Sequence, residues 1–248
     1  MLQRSRPAAD SSEHACRLGV VGAVGTLAGV VLSGPLAVAF VSATHPQPSW
    51  QGPDVFAAHS HPVQSIPYAG GIILVSSLIL LISALQELAP AGKRALPVAA
   101  LVFCAAFAGL IFLNYAVQTT FVPAISSPYD PANAAVLSAL TMSNPRSLAW
   151  AIEMWGWGLL GVATALVGGV FSGAGIERSA RLTFVANAPV SIAGALLTTA
   201  MPGWMMTSWG LVAFSLWNVL LVVMVVLALL ALRHRLGGFA EHAAGAMA

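Results

Sequence analysis

The chain has 248 residues, of which 58% are hydrophobic and only 7% charged, with a formal net charge of +2. Soluble domains carry about 25% charged residues, so this composition and a mean hydropathy of +0.85 exclude a water-soluble globular protein. No basic patch with interleaved aromatics is present, and nucleic-acid binding has no support.

Six apolar runs predict spans at Leu18–Val41, Ile66–Gln86, Leu96–Gln118, Ser147–Val170, Ala180–Met201 and Thr207–Leu232. Each is close to the ~20 residues that cross a hydrocarbon core as a helix. Barrel strands are ~10 residues of alternating polarity, so the expected class is all-α, an integral membrane bundle of six transmembrane helices. The first run carries Gly34-Pro35 two-thirds of the way along. It has two readings, a retained span or a signal peptide cleaved near Val41-Ser42-Ala43 that would leave five spans. Its length exceeds the typical ~7–15-residue apolar region of a signal peptide, which favours the span.

Between the runs, residues 42–65 hold Trp50, Asp54 and the His59-Ser60-His61 triplet. Residues 119–146 hold Pro123, Pro128 and Pro131. Asp130-Pro131 reads as an N-cap and first-turn pair, and predicts a short surface helix over 131–142. Asn144-Pro145 repeats that signal before the fourth span. The connections 87–95 and 171–179 are short and charged. No repeat is visible, and Pro35 and Pro189 do not correspond between halves, so an inverted-repeat transporter plan has little support.

Nine of the ten basic residues fall at alternate junctions: Arg4, Arg6, Arg17, Lys93, Arg94, Arg178, Arg181, Arg233 and Arg235; Arg146 alone falls at the others. The positive-inside rule then places both termini in the cytoplasm. The expected division is a cytoplasmic tail at 1–17, a transmembrane domain at 18–232 and a cytoplasmic tail at 233–248.

Glu153 is the only ionisable residue well inside a run. An acid there is costly and faces protein or a wet cavity rather than lipid. Trp157, Gly161, Thr164 and Gly168 lie within roughly 80° of it on a helical projection, a stripe rich in small residues as helix contacts in membranes are. Asn114, Tyr115 and Gln118 near the end of the third run are its expected neighbours, and Arg146 is an alternative partner. Trp150 and Trp155 fit an interfacial belt. Asn187, Ser191, Gly194 and Thr198 make a polar seam on the fifth span, with Pro189 leaving the Val185 carbonyl free. Ser215 and Asn218 make a shorter seam on the sixth. Both seams read first as helix-to-helix packing. The candidate ligand-binding set is Glu153, Asn114, Gln118, Tyr115, Trp157 and Asn187.

No catalytic residue, metal site or cofactor is assigned. One carboxylate without a base, nucleophile or metal set is not an active site, which argues against an enzyme. The HxH triplet with His45 and Asp54 lacks a defined third ligand. No histidine occurs inside the spans, which excludes bis-histidine haem between helices. Cys16 and Cys104 fall in different settings and read as unpaired thiols.

The stretch from Asn144 to Gly158, NPRSLAWAIEMWGWG, and Phe184 to Ser191, FVANAPVS, resemble uncharacterised multi-pass bacterial membrane proteins of the domain-of-unknown-function kind. The resemblance is strongest over spans three to six, and implies a bacterial cytoplasmic membrane. It brings no activity and no site residue. The reading is a polytopic membrane protein surrounded by lipid. Spans three to six enclose a polar pocket around Glu153, open to the outer face, that binds or transports a small molecule, proton or lipid. The alternative is a structural or accessory subunit in which Glu153 packs helices. Protein partners are not legible.

Overall fold

A computed structural model describes the backbone over residues 6–245 and side chains over 10–239. Arg4 lies outside the described residues, as does the side chain of Arg6. Among them there is no strand. The helices are α1 (Arg6–Ser33), α2 (Pro35–Thr44), α3 (Pro53–Ala58), α4 (Ile66–Glu87) and α5 (Ala95–Ala116), followed by α6 (Val122–Ser126), α7 (Ala134–Leu140), α8 (Leu148–Val167), α9 (Ile176–Ala200) and α10 (Ser208–Gly245). Six helical stretches are long and apolar enough to cross a membrane. The protein is an all-α bundle with the composition of a multi-pass membrane protein.

Each long helix packs against its neighbour in sequence, α1 on α4, α4 on α5, α5 on α8, α8 on α9 and α9 on α10. The ring closes where α10 packs back on α1. Leu78, Phe107, Leu160, Phe184, Leu221 and Met224 fill its centre, all fully buried. Large apolar side chains such as Val102, Leu182 and Leu216 stand exposed on the outside, as expected where lipid is the solvent.

The closest contact is between α1 and α4. Gly22 and Gly29 sit directly against the α4 backbone. A Cβ at Gly22 would lie 2.6 Å from the Leu81 nitrogen, and one at Gly29 would lie 2.5 Å from the Leu74 nitrogen and Cα. Gly25 faces Ser77 between them. The Gly22, Gly25, Gly29 spacing is the small-residue pattern that lets membrane helices approach.

Prolines set the irregular points. Pro35 has no N–H to give, and its ring disfavours a helical carbonyl four residues back; the first span breaks at Gly34 into α1 and α2. Pro123 acts in the same way on the turn before it, which widens into a π-helical turn over Val117–Phe121. Thr119 and Thr120 donate their hydroxyls to the carbonyls of Tyr115 and Ala116, at 2.8 and 2.5 Å, and occupy acceptors in that turn. The third span therefore runs past the predicted Gln118. Pro189 by contrast leaves α9 unbroken.

Predicted span ends agree with the helices to within a few residues elsewhere, and the chain stays helical beyond both ends of the 18–232 segment. The short helix after Asp130 is present, with Asp130 Oδ1 accepting from the Ala132 N–H at 2.8 Å. The cap before α8 differs from expectation. Ser147 accepts from the Trp150 N–H at 3.2 Å, whereas Asn144 serves the turn before it and accepts from the Arg146 N–H at 3.1 Å. Helix α7 packs on α3 and α6 over Phe56, Val122 and Leu137 and closes the long-loop end of the ring. At the basic end Arg235 pairs with Glu177 at 2.7 Å and donates to the Val170 carbonyl at 3.0 Å, tying α10 to the start of α9.

Candidate functional site

Glu153 lies in the second turn of α8, about 7.5 Å along the axis from Leu148 at ~1.5 Å per residue. Only 8% of its surface is exposed. Trp157, four residues on, shares its face, and its indole N–H donates to Glu153 Oε1 at 2.8 Å. Helix α5 brings two adjacent residues to the same carboxyl from across the contact. The Tyr115 hydroxyl donates to Oε1 at 3.0 Å, and Asn114 Nδ2 donates to Oε2 at 2.9 Å. Buried polar groups in a bundle have to be hydrogen-bonded, and here three side-chain donors converge on one acid.

The network continues toward the long-loop end. Gln118 Nε2 donates to Asn114 Oδ1 at 3.3 Å and to the Leu140 carbonyl at 2.7 Å, and Gln118 Oε1 accepts the Met142 N–H at 3.0 Å. The Trp150 indole donates to the Met142 carbonyl at 2.6 Å. The carboxyl is thus joined, through Asn114 and Gln118, to the segment after α7. Trp155 is turned outward, and its indole meets Thr199 at 3.3 Å.

Of the six candidate residues, Asn114, Tyr115 and Trp157 touch Glu153, and Gln118 stands one hydrogen bond away. Asn187 does not join them. It donates to Thr164 Oγ1 at 3.1 Å, and its Oδ1 accepts from Ser191 and from the Trp217 indole, each at 3.2 Å. That second network ties α8, α9 and α10 and matches the packing role expected of the α9 seam. Ser215 and Asn218 instead donate to carbonyls of their own helix, those of Leu211 and Phe214, at 2.8 and 2.9 Å. Arg146 forms no ion pair with Glu153; the ion pairs among the described residues are Arg17–Glu13 and Arg235–Glu177.

A cavity of about 480 Å³ reaches Glu153. Its walls come from the first, second, fourth and sixth spans, with Tyr115 contributed by the third. The expected enclosure by spans three to six is therefore corrected: α9 takes no part, because the closed ring places α1 and α10 side by side across from α8. Tyr68, Trp217 and Phe214 line it and were not singled out in the sequence, where an aromatic in an apolar run carries no distinguishing signal. The Tyr68 ring lies 5.5 Å from that of Tyr115. A second cavity of about 350 Å³ lies between α8, α9 and α10 near Pro189 and Gly194. Trp157, Trp217 and Phe214 line both cavities. They pack together, with ring centroids 5.1 Å apart for Trp157 and Trp217 and 5.7 Å for Phe214 and Trp217.

The HxH triplet assembles no metal set. His59 Nδ1 faces the Val55 carbonyl at 2.9 Å, while His61 accepts from the Val63 N–H at 3.2 Å and stacks on His45. No group of three or more His, Cys, Asp or Glu suited to a metal occurs among the described residues.

Comparison with protein families, with curated proteins and with solved structures finds no match for this chain.

Proposed function

We propose that this protein binds or transports a small molecule inside the membrane, with Glu153 as the polar end of its site. The observation that carries this reading is the 480 Å³ cavity with the Glu153 carboxyl on its wall. Small-molecule sites are typically ~300–1,000 Å³, largely apolar, with a few placed polar groups; here those include Glu153, Tyr115, Ser215 and Asn218. A second reading, an accessory membrane subunit, is favoured by the way Asn114, Tyr115 and Trp157 make Glu153 a tie between α5 and α8. The nine-to-one distribution of basic residues supports a cytoplasmic-membrane protein with both termini inside, and the resemblance noted above supports a bacterial one.

One cysteine series in a Cys16→Ser, Cys104→Ala background tests both site and orientation. Asn218→Cys in the cavity reacts with methyl methanethiosulfonate, while Leu160→Cys in the sealed core does not. In intact cells an impermeant maleimide labels Ser127→Cys, and it labels Gly92→Cys only after lysis. An Asn218 thiol as unreactive as that at 160 would favour the accessory reading. The opposite pattern at 92 and 127 would reverse the orientation.

A further inference from the structure

The geometry points to a membrane-borne amphiphile, with an ammonium head and a single apolar chain, as the occupant of the Glu153 cavity, entering sideways between α2 and α10. This rests on the binding reading above and adds the chemistry of the ligand and its route.

The route follows from the break at Gly34-Pro35. Below it, α1 packs along α10; above it, α2 packs on α1 and α4 and has no comparable contact with α10. The two sides of that gap, Pro35 and Val38 on α2 and Ser215 and Asn218 on α10, are cavity wall. Pro35, Val38 and Ser215 are also exposed on the outer surface of the bundle, and Asn218 is half-buried behind them. Val38 is 56% exposed, and Leu216 beside Ser215 is 64% exposed. In a bilayer these flanks face acyl chains, so the mouth of the cavity opens on lipid. Inside, Val30, Leu74 and Leu221 offer a wall suited to a hydrocarbon chain.

The head group follows from the carboxyl. Oε1 already accepts from Trp157 and Tyr115, and Oε2 accepts from Asn114. An ionised carboxylate has about four lone-pair sites, which leaves acceptor capacity at Oε2 for a ligand that donates. Ionisable groups in membranes are usually paired, yet no Lys, Arg or His lies in the spans beside Glu153, and Arg146 makes no pair with it. An ammonium supplies both the donor and the missing cation. Trp157 and Tyr115, which bond the carboxyl, and Tyr68, packed on Tyr115, all line the cavity, and aromatic rings attract ammonium groups.

The test uses the full chain in phosphatidylcholine nanodiscs doped with stearylamine, with stearyl alcohol and water-borne propylamine as comparison probes. Ligand that binds only the folded state raises the melting temperature. Stearylamine is expected to raise it by a few degrees, stearyl alcohol and propylamine by less than one. The rise disappears in Glu153→Gln and shrinks in Val38→Trp, which narrows the gap; each variant's rise is read against its own unliganded melt. Should Glu153→Gln lower the folded yield, the difference between stearylamine and stearyl alcohol on the unsubstituted chain carries the comparison. An equal rise with stearyl alcohol, or in Glu153→Gln, overturns the ammonium assignment, and an equal rise in Val38→Trp overturns lateral entry. A rise with propylamine alone overturns lateral entry while the binding reading stands. No rise with any probe overturns the ligand class; it takes the binding reading with it only if the Asn218→Cys thiol is also unreactive.

Discussion

Replacing Glu153 by Ala is expected to lower stability more than any other single change at the site, and replacing it by Gln is expected to cost far less. The Ala variant leaves the Trp157 indole, the Tyr115 hydroxyl and one Asn114 donor facing an unfilled space. Each buried donor without a partner costs about 1–3 kcal/mol. A loss on the order of 3 kcal/mol or more is therefore expected, since none of these donors has an alternative acceptor within the apolar wall except Asn114, which also reaches the Ala149 carbonyl at 3.2 Å. A Gln amide oxygen at the Oε1 position still accepts from Trp157 and Tyr115. Its NH₂ then meets Asn114 Nδ2 donor to donor, because Asn114 Oδ1 is already held by Gln118. The expected loss is one hydrogen bond, about 1 kcal/mol. Thermal melts in one detergent should rank the wild type above Glu153→Gln and both well above Glu153→Ala. Equal loss in the two variants would mean that the three donors do not hold the carboxyl as described.

The second large effect is expected at the contact between the first two spans. Gly29→Leu places a Cβ 2.5 Å from the nitrogen and Cα of Leu74, and a helix backbone cannot move aside as a flexible side chain would. Overpacking typically costs about 1–3 kcal/mol, occasionally more. Here the upper end is expected, because α1 and α4 must separate along the whole stripe that includes Gly22 and Gly25. Gly109→Leu is the matched control. It lies on the exposed face of α5, where an added Cβ meets nothing within 4 Å. Folded yield and melting temperature should fall sharply for Gly29→Leu and hold for Gly109→Leu. Similar behaviour of the two would contradict the close approach of α1 and α4.

The parts of this fold that are legible in the sequence are those set by local physics. Spans follow from the length of apolar runs, and Asp130-Pro131 announces its helix because capping is a contact between near neighbours. The inward face of α8 is readable too, since Glu153, Trp157, Gly161 and Thr164 recur at helical spacing and are all buried. Pairing between helices is not local. Asn187 has the right chemistry to join Glu153, but periodicity gives a face without saying which helix it meets, and it bonds Thr164 and Trp217 instead. The cavity walls differ from expectation for the same reason: ring closure puts α1 and α10 together, and nothing in either run encodes that adjacency visibly. Gly22, Gly25 and Gly29 are a different case. Their spacing is plain in the chain and is the signal from which the α1–α4 contact was recoverable.

The central claim is that a lipid-facing cavity ends on the Glu153 carboxyl. A crystal structure grown from a lipid mesophase tests it most directly. The account predicts continuous non-protein density from the gap between Val38 and Ser215 to hydrogen-bonding distance of Glu153 Oε2, with Asn114, Tyr115 and Trp157 still on the carboxyl. It is contradicted if Phe214, Trp217 or Leu221 fill that space and Glu153 is sealed among side chains.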